Sequence, residues 1–209
     1  MAKGNYAPVV NTAGIRIIGT CAEETKIIAA PNHDRALVFA GPGGGSLEHF
    51  SVVGATKGVL IQDTQATLRD VVLTQQFVET QALDDTDTSI TIEDSVIENL
   101  TGAIAVTVTD SASLVMRRSI IRDIEETQQE VNGALVSFGG IALHVSKQAT
   151  ATLEDVQIED SGTGIILGNP QDASWRATLN ANRVVMDNIN VGLLVGSYVT
   201  VEASDLVFS

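Results

Sequence analysis

With 26 acidic side chains against 12 basic ones, this 209-residue chain carries a net charge of −14. A field of that sign repels nucleic acid and anionic membrane. Apolar residues, at 44%, are too many for a disordered chain, no apolar run is long enough for a membrane-spanning helix, and the single cysteine, Cys21, excludes an internal disulfide.

Residues 1–13 read as a lead-in with no apolar stretch of signal-peptide type, and residues 14–209 as repeat sequence. The abrupt start of the repeat near Gly14 points to a secreted or cell-surface protein whose leader is absent from this chain. A cytoplasmic location is the other reading. The opening Gly14-Ile15-Arg16-Ile17-Ile18-Gly19-Thr20-Cys21 and Thr25-Lys26-Ile27-Ile28 place Cys21 among isoleucines, so a buried thiol is expected. Gly41-Pro42-Gly43-Gly44-Gly45 lacks the Lys-Ser or Lys-Thr and the following helix of a phosphate loop, and reads as a turn.

From Ser46 onward one motif recurs. A β-rich run with a polar residue at its centre appears as Ser46–Val52, Thr67–Leu73, Thr91–Ile97, Leu114–Ile121, Thr152–Ile158, Leu179–Met186 and Val201–Val207. The central residues are His49, Asp70, Asp94, Arg118, Asp155, Arg183 and Asp205, at steps of 21, 24, 24, 37, 28 and 22 residues. A second apolar run opens on glycine at Gly58, Gly102, Gly140, Gly164 and Gly192, where a sharp turn needs positive φ or close backbone approach. A further polar position follows the first run: Gln75, Asn99, Asp123, Asp160 and Asn188, with Ala55 in the first copy. These read as a stacked ladder bonding its neighbours at a turn. The 37-residue step holds an insertion, Glu125–Gly133, expected as a polar loop on the scaffold: either a mobile bulge with no role or a place for binding.

A period in the twenties, β-branched runs and no 3.6-residue pattern predict an all-β, right-handed parallel β-helix solenoid of about eight rungs of 21–28 residues with one insertion. An antiparallel sandwich is the main rival, but it predicts neither the period nor the repeated glycine. The repeat resembles the right-handed β-helix proteins of the pectin-lyase-like superfamily, and its start is similar to early rungs of bacterial cell-surface members. That resemblance implies either a polysaccharide-cleaving enzyme or an adhesive or structural surface protein.

Each candidate site has a structural alternative. Asp84-Asp85-Thr86-Asp87 could offer oxygens to a hard cation but lacks EF-hand spacing, and a solvated turn accounts for it. Arg117, Arg118 and Arg122 could face a uronate, or pair across rungs with Glu93, Asp94 and Asp155. His33, His49 and His144 lack metal spacing and the Gly-His-Gly setting of the pectin hydrolases, and Asn99-Leu100-Thr101 is a bare glycosylation triplet. No catalytic residue, cofactor or metal ligand is assigned. The expected function is a non-enzymatic scaffold or interaction and adhesion module, a fragment of a larger surface or secreted protein. A carbohydrate-active lyase or hydrolase on an acidic glycan is the alternative. Protein or glycan partners are expected, nucleic acid is not. A chain stopping at Val207-Phe208-Ser209, directly after a strand, adds an end-to-end or lateral homo-oligomer.

Overall fold

The computed structural model describes residues 3–7, 9–10, 14–28, 35–54, 58–75, 78–81, 87–131, 134–168 and 175–209. The strands, in chain order, are β1 (Gly4–Tyr6), β2 (Val9–Val10), β3 (Ile15–Ile18), β4 (Thr25–Ile28), β5 (Leu37–Ala40), β6 (Gly45–Val53), β7 (Val59–Gln62), β8 (Gln65–Thr74) and β9 (Val78–Gln81). They continue as β10 (Ser89–Glu93), β11 (Val96–Thr101), β12 (Ile104–Thr109), β13 (Ser113–Val131), β14 (Ala134–Gly139), β15 (Ile141–Val145), β16 (Ala149–Leu167), β17 (Ala177–Val195) and β18 (Val199–Phe208). No helix occurs among the described residues, so none is long and apolar enough to cross a membrane.

All pairings but one are parallel, and each strand stacks on the copy one turn earlier. Ile15, Gly45, Ala66, Ile90, Leu114, Ala151, Leu179 and Val201 are successive register partners. These eight strand levels enclose about seven turns of a parallel β-solenoid, against the eight expected. Each complete turn has three sides. The first is the Ile15 column. The second holds β1, β4, β11, the later halves of β6, β8 and β18 and the middle parts of β13, β16 and β17. The third holds β2, β5, β7, β9, β12, β15 and the ends of β16 and β17. Val9 and Val10, inside the segment read as a lead-in, pair with Leu37 and Val38, and Gly4–Tyr6 with Thr25–Ile27.

The polar residue at the centre of the first run is a corner. His49, Asp70, Asp94, Arg118, Asp155, Arg183 and Asp205 all have φ between 47° and 59°, the left-handed region. One such residue bends the chain between the first and second sides and resets the in–out alternation. Leu68 and Val71 are thus both buried although three residues apart. The second ladder is a second such corner: Gln75, Asn99, Asp123, Asp160 and Asn188 have φ between 48° and 61°. Its first member is Gly54, φ 82°, rather than Ala55, because Val53 pairs with Thr74. Asp and Asn tolerate this conformation best.

The interior is a continuous column of stacked aliphatics such as Leu47, Leu68, Ile92, Met116 and Leu153, each at most 1% exposed. Such rows bury apolar area at every level, the dominant stabilising term. Ser95 and Ser119 interrupt one column and are satisfied: the Val71 N–H donates to Ser95 Oγ, and the Ser95 N–H to Ser119 Oγ, both at 3.1 Å. Each hydroxyl in turn donates to a backbone carbonyl, of Glu93 and Arg117. Cys21, expected buried, is only partly so.

Candidate functional site

Parallel in-register stacking brings identical outward positions about 4.8 Å apart, so sequence alternation becomes spatial alternation. On the first side Glu48, Arg69, Glu93, Arg117 and Glu154 follow one another up the solenoid. Arg16 closes on Glu48 with two bonds of 2.9 Å. Arg69 Nη2 lies 2.6 Å from Glu93 Oε2, and Arg117 reaches Glu93 at 3.3 Å and Glu154 at 3.2 Å. On the corner beside it, Arg118 donates to both Asp94 oxygens at 2.7 and 2.9 Å, Arg183 chelates Asp155, and His49 Nδ1 lies 2.6 Å from Asp70. On the second side Arg122 Nη2 is 2.6 Å from Glu98.

These contacts set the charge states. Hydrogen bonds from Arg16, Arg69, Arg118 and Arg183 hold Glu48, Glu93, Asp94 and Asp155 below the ordinary carboxylate range. The same pairing raises Arg118, Arg122 and Arg183. The expectation of cross-rung pairing holds for Arg117 with Glu93 and for Arg118 with Asp94, whereas Arg122 takes Glu98. Asp155 goes to Arg183, and Asp70 to His49. A uronate reaching these arginines would meet guanidinium groups whose charge a carboxylate already offsets.

The insertion is a β-hairpin. Beyond Glu125, which still pairs with Thr101, β13 leaves the solenoid and residues 126–131 pair antiparallel with 134–139. Residues 132–133 lie outside the described residues. Glu125, Glu126 and Glu130 are exposed, and so are Leu135 at 72% and Val136 at 38%. Its base is seated on glycines: a Cβ at Gly102 would collide with Thr127, and one at Gly140 or Gly162 with Glu126. That close approach explains Gly102 and Gly140, both also at positive φ. Gly164 and Gly192 lie inside strands instead, where a Cβ would meet the Gly192 carbonyl and the Phe208 ring.

A third feature has no counterpart in the sequence reading. Just past the third side, Asp110, Lys147 and Trp175 occupy equivalent corner positions, as do Gln148, Arg176 and Tyr198. Lys147 pairs with Asp110 at 3.2 Å and lies 5.6 Å from the Trp175 ring centre, and Arg176 lies 6.0 Å from that of Tyr198. His144, half-buried 6.4 Å from Trp175, has its pKa lowered by burial. No periodic signal marks this corner, because each level contributes a different residue type.

Two of the shallow grooves lie on the first side and its corner. One, of about 460 Å³, lies on the first side among Thr152, Glu154, Asn180, Asn182, Glu202 and Ser204. The other, of about 450 Å³, lies between Arg118, Asp155 and Arg183 over Ile120 and Val185. Among the described residues no three His, Cys, Asp or Glu side chains gather as metal ligands would. Asp87 is exposed, while Asp84, Asp85, Thr86 and His33 lie outside the described residues. Asn99 of the glycosylation triplet is a corner residue and Leu100 is buried. No family model matches the chain, and no curated protein or solved structure matches it significantly.

Proposed function

We propose that this chain is a non-enzymatic scaffold of the secreted or cell-surface kind, an interaction or adhesion module within the pectin-lyase-like group of β-helices. The projecting hairpin carries the reading. A rigid rod of stacked rungs holds out a two-stranded ribbon of residues 126–131 and 134–139 whose described side chains beyond Glu126 are solvent-exposed. An isolated hairpin is marginal in water and gains stability from a surface laid against it. The paired ladders support the same reading, since their arginines and carboxylates neutralise one another and stiffen the rod. The groove holding Glu154 and Glu202 favours a second reading, a carbohydrate-active enzyme with two carboxylates on one face. The two are separated by incubating the chain with polygalacturonate, alginate, hyaluronan and xylan, with and without calcium. The scaffold reading expects no new reducing ends or unsaturated uronates. Product formation that disappears in Glu202→Gln overturns it.

A further inference from the structure

We infer that the third side of the solenoid is a self-complementary interface, and that its occupant is a second copy of this chain docked about a two-fold axis. This names the partner of the interaction module proposed above and rests on that reading. The first observation is the face itself. Residues 104–109, 141–145, 163–167 and 191–195 contain no Asp, Glu, Lys or Arg, in a chain of which 18% is charged. The outward positions Ile104, Ile141, Ile166 and Leu194 are half-buried or exposed, beside Thr107 and His144. The first and second sides carry the ion-pair ladders at the same levels.

The second observation is what borders this face. On the edge where β15 begins stands the hairpin, with Glu125, Glu126 and Glu130 and no Lys or Arg from 123 to 146. On the opposite edge, past the ends of β12 and β15, stand Asp110 with its partner Lys147, and Arg176, with Trp175 and Tyr198. Arg176 is exposed, and among the described residues its side chain meets the Tyr198 ring and no carboxylate. An acidic border, and one whose excess charge among the described residues is the Arg176 guanidinium, therefore flank one strip without Asp, Glu, Lys or Arg.

A two-fold axis along the solenoid, in the plane of this face, lays each hairpin against the other copy's cationic corner. A two-fold across the solenoid would set hairpin against hairpin, Glu against Glu, and like charges oppose it. The isologous arrangement makes the contact twice. Area points the same way. Four strands at about 4.8 Å by five residues at about 3.3 Å give a strip on the order of 300 Å², short of the roughly 800 Å² per partner of a stable interface. The hairpin, about 20 Å long, supplies the difference, with Leu135 and Val136 facing the ring-bearing corner.

The test is sedimentation equilibrium at physiological salt, where long-range repulsion between two copies of charge −14 is screened. Trp175, the single tryptophan, adds a fluorescence reporter at the contact. The wild-type chain is expected at twice its 22.0 kDa mass. Glu125→Lys with Glu130→Lys, and separately Arg176→Glu, each weaken self-association at least tenfold, and mixing the two variants restores a dimer. Leu135→Asp, on the hairpin and away from the solenoid core, gives a second break should a charge reversal disturb folding. A wild-type chain monomeric at about 1 mM, the weak limit of useful affinity, overturns the inference. So do folded variants that dimerise unchanged, or a mixture that stays monomeric. A monomeric wild type leaves the interaction-module reading standing, whereas glycan turnover strikes that reading and leaves the dimer.

Discussion

Glu93 is the most enclosed carboxylate of the ladders, with its side chain 11% exposed, and it accepts from Arg69 at 3.1 and 2.6 Å and from Arg117 at 3.3 Å. Glu93→Gln keeps the shape and one acceptor oxygen but removes the charge. Both arginines are partly exposed, 52% and 41%, so screening limits each pair to about 0.5–1 kcal/mol and the substitution to about 1–2 kcal/mol at pH 7. The pH dependence is the sharper part. Hydrogen bonding from Arg69 depresses the folded-state pKa of Glu93 below its ordinary 4.5. Its stabilisation is therefore fully present above about 4.5 and disappears as pH falls through the depressed folded value. Urea unfolding of both proteins from pH 7 to pH 3 should show the gap closing below pH ~4.5 as the wild-type carboxyl protonates. A cost under about 0.3 kcal/mol at pH 7, or one unchanged at pH 3, refutes the reasoning.

Arg118→Gly and Arg118→Val both lose the bond to Asp94, so their difference reports the corner. With φ at 47°, valine should be about 1–2 kcal/mol less stable than glycine by denaturant unfolding; equal stabilities would remove the left-handed corner. Ser119→Ala takes the acceptor from the buried Ser95 N–H and should cost about 1–3 kcal/mol in the same assay; a neutral result would mean that N–H finds another partner. Gly139→Ala drives a Cβ into the backbone of Gly102 and Ala103 beneath the hairpin. It should speed amide exchange in residues 126–139 and leave the β16–β17 stack unchanged, and equal acceleration in both or no change would contradict the hairpin's seating.

The stack was legible because its period is written in residue type. Aligning His49, Asp70, Asp94, Arg118, Asp155, Arg183 and Asp205 yields the observed register. That these residues turn the chain was also written there: Leu153 and Val156 stand three apart, a slip that strict alternation does not allow. The hairpin had its signal too, in Asn132-Gly133 between two short β-formers, the dipeptide that favours tight hairpins. Its acidic, polar first strand concealed it, because both faces meet solvent and nothing enforces an apolar alternation. The corner of Lys147, Trp175, Arg176 and Tyr198 could not be found from spacing. Its residues meet only because three levels superpose, and a repeat alignment averages away what each level does differently.

Hydrogen–deuterium exchange at two protein concentrations tests most directly whether a rigid rod presents this hairpin and face to a partner. Residues 149–158 and 177–186 should exchange slowly at both concentrations, as stacked inner strands do. Residues 126–139 should exchange fast when dilute and slow selectively when concentrated, together with residues 141–145 and 175–176. Concentration-independent exchange in the hairpin, or new protection confined to the first side, would contradict the account.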